Sequence, residues 1–496
     1  MLGFFANRSA HPLADTRTAK TTFAELTTRD PVHALEEATA WLESLVGADD
    51  LKPAVRLERV LQLDDTVAAQ ARRLGREFIH HGRTNRMQEA RLWEINHGYW
   101  RHLVAAYGDC LARYRLPEKD AEAMRPQLPL LYARAIHAHA VQMKWSQFRY
   151  GPIVAEAWEH IGAIYLAAEA EKVAQRPMPL YTGLPPTTVE AEYLKALLFH
   201  ASSMDKLVPL EIELAERLIV HALPRFALTR EVRPENVYWV DAARPLPPTR
   251  LAKVPAITPS LRFFNGGDAL GELERIRART VAEGRVPAEV NLGGQYEMAD
   301  VLSVLDHLAM CWAPKPPMRN HARHRVKSRL MVAHGFASIQ RYISGASADP
   351  GGVEVWVVED VSLGGMGAQV PISRQDWIRI GVLVAMQPDG GANWLVGIVR
   401  RFARIGNSEG QVGIETLSKT PWVVAFEGDG FAADGILLDL PVVGEHARML
   451  IPPGGVEEKS PVIFDLDGKR ARLHPVKRLH AGDDYLLVDF FVQSFH

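Results

Sequence analysis

From about Asp30 to Pro224, apolar residues recur at three- and four-residue spacing, which predicts a series of amphipathic helices. Leu92, Ile95, Tyr99, Leu103 and Ala106 make one such stripe. Ile212, Leu214, Ala215, Leu218 and Ile219 make another, after Pro209. The Pro- and Gly-containing stretch from Arg176 to Pro186 breaks this region in two. Thr187-Thr188-Val189-Glu190 follows it and reads as a capping box that opens a helix through Phe199. No fixed-period repeat is evident, so an array of helical repeats is not supported.

The pattern changes between about Phe226 and Met318. Val237 to Val240 reads as a short strand, a proline-rich stretch runs from Pro245 to Pro259, and helices are expected around Leu270–Ala282 and Met298–Trp312. Ala313-Pro314-Lys315-Pro316-Pro317 then reads as a linker. Beyond it the period becomes that of strands. Val353 to Val358, Trp394 to Arg401 and Gln411 to Leu417 are expected strands, whereas Phe336 to Gly345 is not clearly one. Five more short strand-like runs follow: Trp422–Phe426, Gly435–Leu438, Ala447–Ile451, Pro461–Phe464 and Tyr485–Phe490. The expected fold is therefore α+β and multidomain. A helical domain occupies 1–225, a mixed connecting region 226–318, a β-barrel 319–420 and a second small barrel or sandwich 421–496.

Composition adds exclusions. The 496 residues are 47% hydrophobic, enough for a core in each domain, and the formal net charge of −2 argues against bulk nucleic-acid binding. Two cysteines, Cys110 and Cys311, allow no disulfide framework and no cysteine-based zinc site, which suits a cytoplasmic protein. Met1 to Arg8 lacks the apolar run of a signal peptide, and no stretch approaches the roughly 18 apolar residues of a membrane span.

The candidate chemistry lies two-thirds of the way along. Arg325-Val326-Lys327-Ser328-Arg329 is an RxxxR element, and Asp360-Val361-Ser362-Leu363-Gly364-Gly365 is a DxSxxG element that follows an expected strand. In this order, with the later strands, residues 319 to 420 resemble the PilZ family of β-barrels, which bind the bacterial second messenger cyclic di-GMP. His324 stands where many members carry a further arginine, and the spacer between Arg329 and Asp360 is at the long end for the family. The resemblance implies that Arg325 and Arg329, on the segment leading into the barrel, wrap over the ligand. Asp360, Ser362, Gly364 and Gly365 would line the barrel face beneath it. The chemistry suits the residues. A guanidinium fork fits a phosphate or the Hoogsteen edge of guanine, and a carboxylate accepts from the guanine N1–H and amino group. A charge-assisted bond contributes roughly 1.5–3 kcal/mol, so a few of them are compatible with micromolar binding, about 8 kcal/mol. The structural alternatives are plain: the arginines as solvated charges on one helical face, Asp360 as a turn cap, and the glycines as turn formers.

Other sites fall away. Asn265-Gly266-Gly267-Asp268-Ala269 resembles the GGDEF string of diguanylate cyclases over three residues only, and Asp268 reads better as a helix N-cap. Asp360 stands where a nucleophile elbow around Ser362 would need glycine. Gly365-Met366-Gly367 lacks the third glycine of a dinucleotide fingerprint. His80-His81, His97, His102, His137 and His139 are not at metal-chelating spacing and read as surface or interface histidines. Trp93, Tyr99 and Trp100 read as core. No metal, cofactor or catalytic set is expected. The first reading is a non-enzymatic effector that binds cyclic di-GMP through the barrel and reaches an unidentified protein partner through its helical half. The alternative is a scaffold whose barrel no longer binds nucleotide.

Overall fold

The computed structural model describes residues 9–81, 86–116, 121–291, 296–315, 321–346, 352–372, 377–406, 408–428, 431–454, 461–466 and 469–495. The opening Met1–Arg8 and the linker's Pro316 and Pro317 lie outside them. The chain divides into two compact units. One comprises Met1–Arg149, Ile153–Met204 and Pro209–Pro317; the other comprises Tyr150–Pro152, Asp205–Val208 and Met318–His496.

The first unit is helical, as the periodicity predicts. Its helices are α1 (Thr16–Thr28), α2 (Pro31–Val46), α3 (Pro53–His81), α4 (Arg86–Arg115), α5 (Leu128–Gln147), α6 (Ala155–Ala170), α7 (Val189–Ala201) and α8 (Pro209–Ala222). The break before α7 holds two short paired strands, β1 (Met178–Pro179) and β2 (Pro186–Thr187). Both expected stripes face the core: Leu92, Tyr99, Leu103 and Ala106 are buried on α4, and all five named residues of α8 are buried. The cap of α7 is displaced by one residue from the expected box. Thr188, not Thr187, is the N-cap and accepts from the Ala191 N–H at 3.0 Å. Glu190 instead accepts from the hydroxyl of Tyr165 at 3.2 Å, so it does not reach back to the cap.

A buried polar cluster ties α3, α4 and α5 together. Asp64, with no exposed surface, accepts from Tyr99 at 3.2 Å, Tyr107 at 2.5 Å, Tyr181 at 3.1 Å and Arg134 at 3.2 Å. Burial raises its pKa, against the pull of Arg134 and Tyr107. Four donors satisfy a charge that would otherwise be costly to bury.

The connecting region holds a four-stranded antiparallel sheet, β3 (Ala227–Thr229), β4 (Tyr238–Asp241), β5 (Thr249–Arg250) and β6 (Leu261–Asn265), in the order β3-β6-β4-β5. Helices α9 (Ala269–Glu283), α10 (Ala288–Asn291) and α11 (Met298–Trp312) follow. Asp268 stands at the N-cap of α9 but its side chain makes no capping hydrogen bond, contrary to expectation. His139 also departs from expectation: it is 6% exposed and belongs to the core of α5.

The second unit contains two closed six-stranded barrels. The first is built from β7 (His324–His334), β8 (Glu354–Ser362), β9 (Gly365–Pro371), β10 (Leu383–Pro388), β11 (Leu395–Arg404) and β12 (Glu409–Ser418), in the order β10-β11-β12-β9-β8-β7. The stretch that did not read as strand is a helix, α12 (Phe336–Ile343), because Phe336, Ile339 and Tyr342 recur at helical spacing and are all buried. Leu330, Val332, Trp356, Met366, Val384 and Phe402 fill the barrel, and Tyr150 joins them. The second barrel runs β13 (Trp422–Gly428), β14 (Phe431–Leu437), β15 (His446–Ile451), β16 (Val462–Leu466), β17 (Lys469–Ala481) and β18 (Leu486–Phe495), in the order β13-β14-β15-β18-β17-β16. No helix among the described residues is long and apolar enough to cross a membrane.

Candidate ligand-binding site on the first barrel

Leu330 and Val332 are buried in the barrel, which fixes β7 as an extended strand, and its pairing with β8 runs back to His324. Arg325 and Arg329 therefore lie inside the first strand. They are neither on a segment ahead of the barrel nor on a helical face, and this corrects both expectations. Residues 324–329 are exposed. Arg325 stands directly opposite Asp360, and Arg329 opposite Val357. Those two partners are three positions apart on β8, so the arginines bracket a span of roughly 10 Å along the strand.

The register slips beside the site. β7 advances three residues from Arg325 to Ser328 while β8 advances two, and a second slip falls between Val358 and Asp360 where β8 pairs with β9. Bulges of this kind sharpen local twist and re-aim side chains. Arg325, Lys327 and Arg329 make no ion pair among the described residues, so a row of cations stands open on this strand.

Asp360 is already occupied. Its two carboxylate oxygens accept from Nη1 of Arg323 at 2.9 and 3.1 Å. Both side chains are partly exposed, so the pair contributes little to stability. Arg323 was not among the residues singled out from sequence. The signal was present in the alternation Arg323-His324-Arg325, where His324 drew notice as the missing arginine and the cation one place earlier did not. Asp360 lies across Gly367: a Cβ built there would stand 3.1 Å from both carboxylate oxygens.

The DxSxxG turn is a tight hairpin in which Ser362 pairs with Gly365 around Leu363 and Gly364. The Ser362 hydroxyl donates to the Gly365 carbonyl at 3.1 Å. The Gly364 carbonyl accepts from the Thr416 N–H at 3.0 Å, and a Cβ at 364 would meet the His321 ring at 3.4 Å. At Gly365 a Cβ would fall 2.1 Å from the Ile414 carbonyl oxygen, so this glycine is required by the packing of β9 on β12. The strands thus bring Arg325 and Asp360 together, set Ser362 two residues further along β8, and leave Arg329 at the other end of the row.

Comparison with known families places a match elsewhere in the chain. Residues 17–234, the helical part, match the family described as cyclic-di-GMP receptor FimW, N-terminal domain. The match ends before the C-terminal barrel, whose residues carry the resemblance read from the sequence. No curated protein matches the chain.

Proposed function

We propose that this protein is a non-catalytic effector that binds cyclic di-GMP at the first barrel. The observation that carries the proposal is the placement of Arg325 opposite Asp360 on adjacent strands, with a row of open cations continuing to Arg329. The match of the helical part to a cyclic-di-GMP receptor family supports the same ligand from a separate stretch of chain. In this reading Arg325 and Arg329 take the phosphates or the guanine Hoogsteen edge, and Asp360 takes the guanine N1–H and amino group. The Ser362 hydroxyl and the backbone at Gly364 and Gly365 face the remaining phosphate oxygens. Capture of a base by Asp360 requires Arg323 to release it or to turn onto a ligand phosphate. The helical part carries the output to a protein partner in the cytoplasm, and 1–225, 226–318, 319–420 and 421–496 are its working divisions.

Titration calorimetry with cyclic di-GMP, and with GTP as control, tests this. Saturable heat is expected with cyclic di-GMP alone. Arg325→Ala and Arg329→Ala should each weaken binding by about 10- to 100-fold, the equivalent of one charge-assisted bond. Unchanged affinity in the double variant would move the site off the barrel and towards the helical part.

A scaffold reading draws support from one observation: Asp360 and Ser362 are both satisfied within the chain. It predicts no heat and no thermal shift with cyclic di-GMP, together with partner capture by residues 1–317.

A further inference from the structure

Strand β17 of the second barrel contains five lysines and arginines and no acidic residue from Lys469 to Ala481. Ala471 and Leu473 fill the core, which turns Arg472 outward beside the exposed Ile463 on β16. Among the described residues β16 pairs no further than Leu473, so β18 is the one strand paired with the residues that follow, and Val476, Lys477 and Arg478 are exposed. The loop from β14 to β15 is exposed beside β18, one strand away from β17. Leu440 is 65% exposed and Val443 50%, with Val442 exposed between them. Backbone bonds fix the loop in place. The Gly444 N–H donates to the Val492 carbonyl at 2.9 Å, and the Val492 N–H to the Glu445 carbonyl at 3.0 Å. Val492 in turn pairs with Leu473, next to Arg472.

Single exposed aliphatic residues are ordinary, but three within four positions of one loop, one strand away from a cationic strand, make a composite surface. We propose that this edge of the second barrel seats on an anionic lipid surface. Leu440, Val442 and Val443 enter the boundary between headgroups and acyl chains, and Arg472 and Lys477 meet the headgroup phosphates. The exposed apolar side chains of the loop are aliphatic and offer no platform on which a nucleic-acid base could stack. Strand addition at the free edge of β17 is opposed by Pro475, which lacks an N–H, and by register slips at Pro475/Lys477 and Arg478/His480. The described carboxylates nearby have partners of their own: Asp489, opposite Lys477, accepts from His446 at 2.9 Å, and Asp439, just before Leu440, accepts from Arg448 at 2.7 Å.

The test is co-sedimentation of the full chain with vesicles of phosphatidylcholine alone or mixed with phosphatidylglycerol. The chain should pellet with the anionic vesicles only, and less so as salt rises. Arg472→Gln/Lys477→Gln should weaken partitioning by about fivefold per cation, ~25-fold together. Val442→Ser/Val443→Ser should reduce it by at least about fivefold at unchanged charge. All four side chains are exposed, so circular dichroism should find each variant folded. Absence of pelleting, equal pelleting with phosphatidylcholine, or undiminished binding by either variant pair overturns the proposal. Retention on immobilised polyglutamate through Arg472 and Lys477, without vesicle binding, would replace the lipid by an acidic protein segment.

Discussion

Gly367 and Gly365 sit two residues apart on one strand, yet a methyl group at each meets a different kind of neighbour. At Gly367 it meets the Asp360 carboxylate, a side chain that can shift by a few tenths of an ångström. Gly367→Ala should leave the barrel folded, with a stability change below about 1 kcal/mol, while moving Asp360 off its present line. Calorimetry should then read an affinity for cyclic di-GMP about tenfold lower, one charge-assisted contact being misplaced. At Gly365 the neighbour is the Ile414 carbonyl, which is backbone and cannot yield, so Gly365→Ala should cost more than ~2 kcal/mol and serves as the contrasting case. His139 has an effect of another kind. Burial, with the charge of His160 added, pushes its pKa down to about 3, and its Nδ1 is buried without a hydrogen-bond partner among the described residues. The folded value lies below the ordinary imidazole value of about 6.5, so as pH falls the unfolded chain takes up the proton first. Stability is therefore lost from about pH 6.5 down towards pH 3, by up to ~1.4 kcal/mol per pH unit for this one proton. His480, pushed down to about 4 by burial, acts in the same direction. His139→Leu removes both the titration and the unpartnered nitrogen. Its urea midpoint should fall less between about pH 7 and pH 5 than that of the parent chain, and an identical fall would mean that His139 is charged in the folded state.

Helix α12 shows what an element owes to distant chain. Gly335 stands at its N-cap with a φ of +83° and has no side chain to cap it. The Asp484 carboxylate, from the β17–β18 turn of the second barrel, accepts from the Phe336 N–H at 2.7 Å instead. Asp484→Ala should cost about 1 kcal/mol, as loss of a local cap does, and Asp484→Asn should recover most of it. Urea unfolding followed at a tryptophan of the barrels would check both. No local pattern announces such a cap, since 148 residues separate donor from acceptor. Elements whose apolar residues repeat at their own period were legible: α4, α8, α11, β8, β11 and β12 all form where the spacing predicts them. β17 was not, because its thirteen residues are dominated by cations and interrupted by Pro475, both of which speak against a strand until β18 is there to pair with it. β6 escaped notice for a related reason. Leu261, Arg262, Phe263 and Phe264 are all buried, so no polar alternation marks it after the proline-rich stretch. Of the candidate site, the motif residues were legible. Their placement inside β7, the two bulges and the Arg323–Asp360 pair depend on register, which a single strand does not encode.

The two barrels of the second unit share an apolar seam. Along β10, Val384 and Met386 point into the first barrel, while Leu383 and Ala385 join a cluster with Ile436, Leu450 and Leu487 of the second. β11 divides in the same way, Val399 and Phe402 inward and Val396 and Ile398 to the seam. Burial on both faces explains why Val382 to Met386 reads as an uninterrupted apolar run where a half-exposed strand would alternate. Phe336, Ile339 and Tyr342 of α12 lie in the same seam, and the Ser418 hydroxyl donates across it to the Leu438 carbonyl at 2.7 Å. A boundary at residue 420 would therefore cut between two barrels that share a buried apolar cluster. Residues 318–420 expressed by themselves should expose the seam and aggregate, whereas 318–496 should remain monodisperse and unfold in one cooperative transition. Light scattering and urea titration of the two fragments measure this. A monodisperse, two-state first barrel would mean that the seam contributes little. In that case Asp484 would anchor α12 across a contact that the barrel does not need.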